Sequence, residues 1–422
     1  MSINDPTAID INSKGRYAES GNPISKSSSI AFKNNKLKEE IMNKEERVKH
    51  LQEIIRIPSE NDNEIQVAKY YKKLLEEHGI ESKLVEYSPT RQNLIAEIKG
   101  ENPGKVLVFN GHMDVVDAGD VNNWTHPPFE GFIEDGKMYG RGTTDMKAGL
   151  TALVIAMIEL KESGKLKNGT VRLVATVGEE IGMLGSKQLT EEGYIDDADA
   201  IIIGEPKLGD GKVVTAHKGS IQYEIISYGR SAHSSAPEHG INSLQQIVDF
   251  IQLTNPRFEE AADVAENEKL GRMLNAYTVI NGGDQINSIP EITKLQGNGR
   301  TIPEVDNDVF LDIINSSIEE INEQIEGRLE LNLMQNNPAV ESDFDTDLIK
   351  SINKVSSIPI EPVGMAGATD ASNFGRIDKP FDLAIYGPGE MTVAHAVNEY
   401  VEVDDYLNFI DIYRDVALDY LQ

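Results

Sequence analysis

The chain of 422 residues contains no cysteine. This absence excludes disulfide bonds, a thiol nucleophile and every thiolate-ligated metal site. Any metal ion bound by this chain must therefore be held by histidine, aspartate or glutamate side chains.

Long apolar runs are also missing. No stretch approaches the roughly 20 apolar residues that cross a bilayer, and the polar first 40 residues lack the apolar core of a signal peptide. Residues 1–40 carry few apolar side chains and no periodicity, so they are predicted to form a flexible N-terminal extension. We expect a cytoplasmic protein that does not associate with membranes.

Basic residues are scarce, with 40 lysines and arginines against 70 aspartates and glutamates, which gives a formal net charge of −30. Such a field repels the phosphates of nucleic acids and the surfaces of anionic membranes, so neither is expected as a partner. An acidic substrate would need cationic groups inside its binding site.

Short apolar segments alternate with helical patterns along much of the chain. This alternation predicts an α/β fold with a mixed, largely parallel sheet covered by helices on both faces. A long apolar helix is predicted at residues 148–160. The strands are predicted at residues 94–98, 106–109, 171–177, 201–203 and 383–386.

The pattern of apolar residues changes after Ser220, where predicted strands and amphipathic helices follow one another without long apolar runs. One of these helices is predicted at residues 243–253, followed by an acidic stretch at residues 258–269. We predict an inserted α+β unit of ferredoxin-like type. The expected domains are a catalytic domain in two parts, residues 41–217 and 333–422, with the inserted unit at residues 218–332.

Residues of the kind that bind metals follow the predicted strands, at the point where each strand ends, or open the long helix. Ligands of open α/β sheets bind beyond the carboxyl ends of the strands, so these side chains are expected at one rim. The residues are His112 and Asp114, Asp145 before the helix, Glu179 with Glu180, Glu205, and His395.

None of these motifs is specific by itself. A histidine near an aspartate is often a structural pair, and adjacent acids such as Glu179 and Glu180 are usually surface residues. Two like charges at buried strand ends are costly, however, unless a cation compensates them. Imidazole and carboxylate together suit Zn²⁺, with Mn²⁺ or Co²⁺ tolerated, and a pair of ions would share one carboxylate.

The motifs, in this order over residues 44–422, resemble those of one hydrolase family. The family comprises succinyl-diaminopimelate desuccinylases, acetylornithine deacetylases, aminoacylases and carboxypeptidase G-type enzymes. The resemblance implies a zinc-peptidase-like catalytic domain with two Zn²⁺ per subunit. It implies His112 and Glu205 as ligands of one ion, Glu180 and His395 as ligands of the other, and Asp145 as the bridge between them.

The same resemblance implies roles for three further residues. Asp114 is expected to orient His112, and Glu179 to act as the general base. The inserted unit resembles the family's lid and dimerisation domain. There the segment 231–237 carries His233, which is expected to reach the active site of the partner subunit in a homodimer.

Substrate recognition is expected from Arg300, Asn287, Gly367 and Thr369, which resemble the family's carboxylate-binding groups. An arginine binds a carboxylate bidentately and would offset the acidic field. The alternatives are a surface salt bridge for Arg300 and a turn cap for Asn287.

The overall texture is similar to that of desuccinylase-like proteins from Gram-positive bacteria. The family's Gram-negative desuccinylases have two arginines where His217 and Lys218 stand and a tyrosine where Ala236 stands, and the loop 367–371 departs from their Gly-Gly-Thr-Ser-Asp order. Because these positions shape the substrate pockets, they bear on the substrate and not on the metal chemistry.

The resemblance implies cleavage of the amide bond of a small N-acyl amino acid, with N-succinyl-diaminopimelate of lysine biosynthesis as the first candidate substrate. A metal-dependent dipeptidase, an aminoacylase and an acetylornithine deacetylase are the alternatives with the same site. A non-catalytic descendant that binds metal or amino acids would be expected to have lost the base or a ligand. Glu179 and all five ligand candidates are present.

Overall fold

The computed structural model describes residues 42–422, so the N-terminal extension predicted for residues 1–40 lies outside the described residues. The first helix starts at a capping box. The Asn43 side chain accepts a hydrogen bond from the Glu46 backbone N–H, and the Glu46 carboxylate accepts one from the Asn43 N–H, each at 3.0 Å. These two bonds satisfy N–H groups that have no partner within the helix.

The helices of the described residues are, in chain order, α1 (Lys44–Ile55), α2 (Ile65–Glu77), α3 (Lys147–Ser163), α4 (Leu184–Glu191), α5 (Ser243–Val264), α6 (Asn307–Asn322), α7 (Asp347–Val355), α8 (Ala371–Phe374) and α9 (Val403–Tyr420). The strands are β1 (Ser82–Ser88), β2 (Arg91–Lys99), β3 (Asn102–His112), β4 (Phe132–Glu134), β5 (Lys137–Tyr139), β6 (Asn168–Thr176), β7 (Ala200–Lys207), β8 (Lys212–His217), β9 (Ser220–Tyr228), β10 (Ala232–His233), β11 (Leu274–Gly282), β12 (Ser288–Ile289), β13 (Ile292–Arg300), β14 (Arg328–Asn337), β15 (Val340–Glu341), β16 (Glu361–Met365), β17 (Asp382–Glu390) and β18 (Tyr400–Glu402).

The central sheet has the strand order β1-β2-β6-β3-β7-β17-β8-β15, with β16 paired to β8. Its middle strands β6, β3, β7 and β17 run parallel, while antiparallel strands extend it on both sides. Side chains alternate between two cores, so that Phe109 lies in one and Val108 in the other. Helices cover both faces, and the predicted mixed α/β class is confirmed.

Residues 220–337 form a second, four-stranded sheet with the order β11-β13-β9-β14, all antiparallel. Helices α5 and α6 pack on this sheet around a separate core that includes Phe250 and Phe310. The element sequence βαββαβ with this strand order is the ferredoxin-like arrangement. We call this part of the chain the antiparallel unit.

Helix α5 is longer than the sequence pattern predicts. It continues from Ser243 to Val264, through Pro256 and into the acidic stretch that was expected to follow the helix. Phe258 and Ala262 in the added turns are buried in the core of the antiparallel unit. This packing outweighs the lost hydrogen bond and the steric cost of an internal proline.

Two boundaries near the predicted ligands also differ from the sequence prediction. Strand β3 continues to His112, so this residue belongs to the strand and not to the loop after it, and α3 starts two residues beyond Asp145. No helix in the described part of the chain is long and apolar enough to span a bilayer.

Helix α3 approaches β7 through two glycines. A Cβ added to Gly149 would collide with the carbonyl oxygen of Gly204. Because α3 follows Asp145 and Gly204 precedes Glu205, this close contact sets the distance between two ligand-bearing segments. Only glycine at residue 149 permits this packing.

We predict that Gly149→Ala lowers the free energy of unfolding by about 1–3 kcal/mol, because overpacking forces the helix away from the strand. Urea denaturation of the purified variant measures the effect. Gly367→Ala is the matched control, because an added Cβ there meets its nearest neighbour at an ordinary 3.6 Å. Equal stability of the two variants would contradict the prediction.

Candidate metal centre

The parallel strands bring the predicted ligands to one edge of the central sheet. His112 is the last residue of β3, Glu205 lies near the end of β7, and Glu180 follows β6. His395 follows β17, and Asp145 precedes α3. Neighbouring parallel strands end at the same edge, which explains why segments far apart in sequence meet here.

Asp145 lies between the two histidines. Its Oδ1 is 3.0 Å from His112 Nε2, and its Oδ2 is 3.2 Å from His395 Nε2. The two oxygens of one carboxylate thus face two different imidazoles. This is the arrangement that a carboxylate shared by two cations requires.

Each histidine has a second carboxylate of its own. His112 Nε2 is 3.4 Å from Glu205 Oε1, and His395 Nε2 is 3.1 Å from the Glu180 carboxylate. The centre therefore consists of two half-sites, each with one imidazole, one glutamate and one oxygen of Asp145. His112 is buried, whereas the His395 side chain is 51% exposed, so His395 closes the centre on the solvent side.

The glutamates of the centre are hard to keep ionised. Burial raises the pKa of Glu205 to about 7 and also raises the pKa values of Glu179 and Glu180. Negative neighbours add to the rise in each case. No lysine or arginine forms an ion pair with these three carboxylates within residues 42–422.

At the two histidines and at Asp145, in contrast, the pKa shifts favour the charged form of the side chain. Burial acts to lower the pKa of His112, but Glu205 and Asp145 outweigh it and raise that pKa. Hydrogen bonds with Asp145 and Glu180 raise the pKa of His395 to about 10. Burial acts against ionised Asp145, yet the hydrogen bonds with both histidines lower its pKa.

This donor set fits two divalent cations. It consists of imidazole nitrogens and carboxylate oxygens, which Zn²⁺, Mn²⁺ and Co²⁺ accept. Negative charge exceeds what two histidines can balance, and bound cations would supply the missing positive charge. Within residues 42–422, ligand atoms of His112, Asp145 and Glu180 all lie within 4.8 Å of one another, which brings residues of both half-sites close enough to share an ion.

Asp114 acts on its neighbours differently from the sequence expectation. The backbone carbonyl of Asp114 accepts from His112 Nδ1 at 3.0 Å, whereas its carboxylate lies 3.7 Å away. The carboxylate instead accepts hydrogen bonds from the backbone N–H groups of Glu179 and Glu180, at 3.2 and 3.1 Å. Asp114 therefore links the strand that carries His112 to the loop that carries both glutamates.

A second buried anchor of the same loop was not predicted from the sequence. Glu64 Oε1 accepts from the Gly178 N–H at 3.2 Å and from Arg91 Nη2 at 2.6 Å. Both side chains of this ion pair are buried. Nothing in the local pattern identifies the pair, because Glu64 precedes an ordinary helix and Arg91 starts an ordinary strand.

The predicted substrate groups Arg300 and Thr369 both lie near His217. The charge of Arg300 adds to burial in lowering the pKa of His217, which is about 4. His217 Nδ1 donates to the Lys218 carbonyl at 2.9 Å, and its Nε2 accepts from the Thr369 N–H at 3.4 Å. Arg300 forms no ion pair with the described residues. The alternative role considered for Arg300, a surface salt bridge, therefore has no acidic partner among them.

His233 lies on a separate two-stranded ribbon formed by β10 and β12, and Asn287 immediately precedes β12. The Asn287 carbonyl accepts from the Ser234 N–H at 2.9 Å, and both residues are exposed. His233 Nδ1 is hydrogen-bonded to Ser235. Within the described residues, His233 makes no hydrogen bond or ion pair with the ligands at the sheet edge. Gly367 is exposed in the loop before Thr369.

A parallel sheet edge at which one aspartate faces two histidine–glutamate pairs is the architecture of a metal-dependent hydrolase. The sequence model of peptidase family M20/M25/M40 matches residues 108–419. A protein of Staphylococcus epidermidis named "probable succinyl-diaminopimelate desuccinylase" is 39% identical over 414 residues, covering 90% of this chain and 99% of the relative. The chain belongs to the M20/M25/M40 peptidase family, whose members hydrolyse amide bonds with bound metal.

Solved structures share the fold. An M20 family metallo-carboxypeptidase from Sulfolobus solfataricus has a TM-score of 0.74 at 20% identity, with 90% of this chain and 99% of that chain covered. A dinuclear metal-binding peptidase of the M20 family from Bacillus subtilis has a TM-score of 0.67 at 17% identity, with 90% and 98% covered. The family resemblance drawn from the motifs is confirmed.

We predict that Asp145→Asn weakens metal binding at both half-sites, because the amide offers one weak oxygen donor where the carboxylate offers two. Glu205→Gln, in contrast, should weaken the half-site of His112 alone, with a loss of about one ion per chain. Elemental analysis after dialysis against buffered metal measures the ratio. Equal metal losses in the two variants would contradict a shared role of Asp145.

Proposed function

We propose that the protein hydrolyses the amide bond of a small N-acyl amino acid, with N-succinyl-diaminopimelate as substrate and succinate and diaminopimelate as products. The reaction class rests on the placement of Asp145 between two histidine–glutamate pairs. The substrate rests on the similarity, over nearly the full length of both chains, to a relative that carries the desuccinylase name.

We propose His112, Glu205 and Asp145 as the ligands of one metal ion and His395, Glu180 and Asp145 as those of a second. Zn²⁺ is the proposed ion, and Co²⁺ or Mn²⁺ can replace it. Bound ions supply Lewis acidity, which lowers the pKa of water and polarises the amide carbonyl.

Glu179 is the proposed general base. It lies next to a ligand in sequence, and its backbone is held by Asp114 at 3.2 Å, yet its side chain forms no ion pair with either histidine. Its carboxylate takes a proton from the attacking water and later gives it to the nitrogen of the leaving amine. Water adds to the carbonyl carbon, the C–N bond breaks, and a carboxylate and an amine result.

Arg300 is the proposed binding group for a substrate carboxylate. It is half-buried and has no acidic partner among the described residues, and burial lowers its pKa. A guanidinium in this setting gains a bidentate partner when a carboxylate enters. The backbone of Gly367 and Thr369 and the side chain of Asn287 are proposed to line the same pocket.

A homodimer is proposed in which His233 enters the active site of the partner subunit and stabilises the oxyanion. The antiparallel unit has features that support assembly. Its edge strand β11 exposes the apolar side chains of Leu274, Val279 and Ile280 beside unpaired backbone groups. An exposed sheet edge with apolar side chains can pair with another chain.

A dipeptidase, aminoacylase or acetylornithine deacetylase is the second candidate. The hydrogen bonds of His217 favour it, because both ring nitrogens are occupied within the chain. The neighbouring Lys218 Nζ also donates to the Arg272 carbonyl. His217 is therefore not free to bind a succinyl carboxylate as an arginine would, and Lys218 is already tied to a backbone carbonyl by one of its N–H groups. The proposed cytoplasmic location stays a prediction.

Succinate release from N-succinyl-diaminopimelate by the zinc-loaded protein tests the proposal. N-acetylornithine and a dipeptide serve as comparison substrates, and kcat/KM is measured for each. We expect a kcat/KM for the succinyl substrate at least about 100-fold above the others, because Arg300 is proposed to bind the carboxylate of the succinyl group, which neither comparison substrate has. A higher value for either comparison substrate would overturn the desuccinylase assignment.

The control for this assay is Glu179→Gln. It should lower kcat by about 10²- to 10⁴-fold, because the proton shuttle is lost, and it should leave the metal content unchanged. Retained turnover would show that Glu179 is not the base.

Mixing two inactive variants tests the shared active site. After subunit exchange, His233→Ala and Glu179→Gln chains should form hybrids with one complete site, and activity should recover to about a quarter of the wild-type value. Each variant treated alone is the control. An unchanged low rate in the mixture, with hybrid formation verified by mass, would place His233 outside the partner's site.

A further inference from the structure

A buried ion pair lies beside the metal centre and has no role in the proposed mechanism. Arg141 Nη1 donates to Glu399 Oε2 at 2.6 Å, and the two side chains are 3% and 0% exposed. Burying two charges is costly, so such a pair is by itself a poor source of stability. The role of this pair is therefore indicated by the groups to which it is hydrogen-bonded and not by its contribution to the free energy of unfolding.

The second oxygen of Glu399 holds the segment that carries Asp145. Glu399 Oε1 accepts hydrogen bonds from the backbone N–H groups of Thr144 at 2.8 Å and Asp145 at 3.0 Å. The Thr144 hydroxyl also donates to the Tyr400 carbonyl at 2.5 Å. One buried carboxylate thus fixes the backbone of the residue that faces both histidines.

Arg141 holds the segment that carries His395. Its Nη2 donates to the His395 carbonyl and its Nη1 to the Ala396 carbonyl, each at 3.2 Å. His395 has a φ of 60°, a left-handed conformation that a side-chain-bearing residue adopts at a cost. Surrounding contacts must maintain that conformation, and the guanidinium provides two of them.

The pair therefore ties together two loops that supply three of the contacts at the centre. Within the described residues, Glu399 is the carboxylate that pairs with Arg141, and Arg141 Nε has no acceptor. The guanidinium therefore depends on Glu399 for its charge balance. Removing the negative partner leaves a buried cation uncompensated beside the His395 carbonyl. A disturbance of the pair is thus transmitted to both Asp145 and His395.

We propose that Arg141 and Glu399 are positioning residues that set the spacing of Asp145 and His395 and thereby the affinity of the metal centre; this rests on the metal roles proposed above. The pair forms hydrogen bonds with backbone groups of the segments that carry Asp145 and His395, and not with the side chains of these two residues. The pair changes the affinity for the metal ions, and it changes the turnover rate only because the metal affinity changes.

The test is Glu399→Gln, which keeps the shape and an acceptor oxygen but removes the charge. We expect the affinity for Zn²⁺ to fall about 10- to 100-fold, the range seen when groups that orient metal ligands are removed. Competition titration against a coloured chelator measures the affinity without any substrate. The absorption bands of the Co²⁺-loaded variant should also change in intensity, because the ligand geometry changes.

A built-in probe reports on the pair directly. The guanidinium of Arg141 lies 5.2 Å from the ring centre of Trp124, which is the single tryptophan of the chain. We expect the fluorescence of the metal-free Glu399→Gln protein to differ from that of the metal-free wild type, because the charge near the indole is no longer balanced.

Glu159→Gln is the matched control. Glu159 on α3 is also buried and pairs with Arg47 at 2.5 Å and Arg414 at 2.8 Å, but it contacts none of the ligand loops. This variant should be less stable to urea and should bind Zn²⁺ with wild-type affinity. Weakened metal binding in both variants would reduce the effect to general destabilisation and overturn the inference.

Wild-type Zn²⁺ affinity in Glu399→Gln would also overturn the inference, whatever the substrate assay shows. If Glu399→Gln does not fold, Glu399→Asp takes its place, because it keeps the charge and shortens the side chain by one carbon. Its affinity for Zn²⁺ should fall, by less than the loss of about 10- to 100-fold expected for the glutamine variant. No loss in that variant would overturn the inference too. A wild-type protein that binds zinc but releases no succinate would reject the substrate assignment and leave the positioning role standing.

Discussion

The mutual repulsion of carboxylates crowded at one sheet edge is the constraint on which the rest of this structure depends. Asp114, Asp145, Glu179, Glu180 and Glu205 meet where four parallel strands end, and most of their side chains are shielded from water. Unpaired charges in such a place are strongly unfavourable. The two histidines balance part of the charge, and divalent cations, on which this peptidase family depends, would balance the remainder.

Backbone N–H groups and buried ion pairs hold the loops that carry these acids. Asp114 binds the N–H groups of the Glu179–Glu180 turn, Glu64 binds that of Gly178, and Glu399 binds that of Asp145. Two of these anchors are themselves neutralised by buried arginines. The ligands are thereby preorganised by contacts that need no metal, which lowers the cost of ordering them when an ion binds.

The proposed substrate site differs from the candidate metal centre because its charged residues are cationic. A surface with a net charge of −30 disfavours anionic ligands at long range. The charge of Arg300 acts on both His217 and Lys218, and burial lowers the pKa of His217 to about 4, so His217 is neutral. In the proposed function, selectivity for an acidic acyl group depends on a few such groups at short range, and a change of one of them would change the substrate without disturbing the candidate metal centre.

The sequence alone determined the fold class, the family and the chemical types of the ligands, because buried parallel strands and the residues that end them leave local patterns. The succession of strands and helices in the antiparallel unit also follows from such patterns, whereas the strand order β11-β13-β9-β14 came from the structure. The extent of α5 did not, since burial of Phe258 outweighed Pro256. Only the tertiary structure decided that Asp145 faces both histidines and that Arg141, Glu399, Glu64 and Arg91 hold the ligand loops. These contacts join residues that are distant in sequence, and short-range patterns carry no record of such contacts.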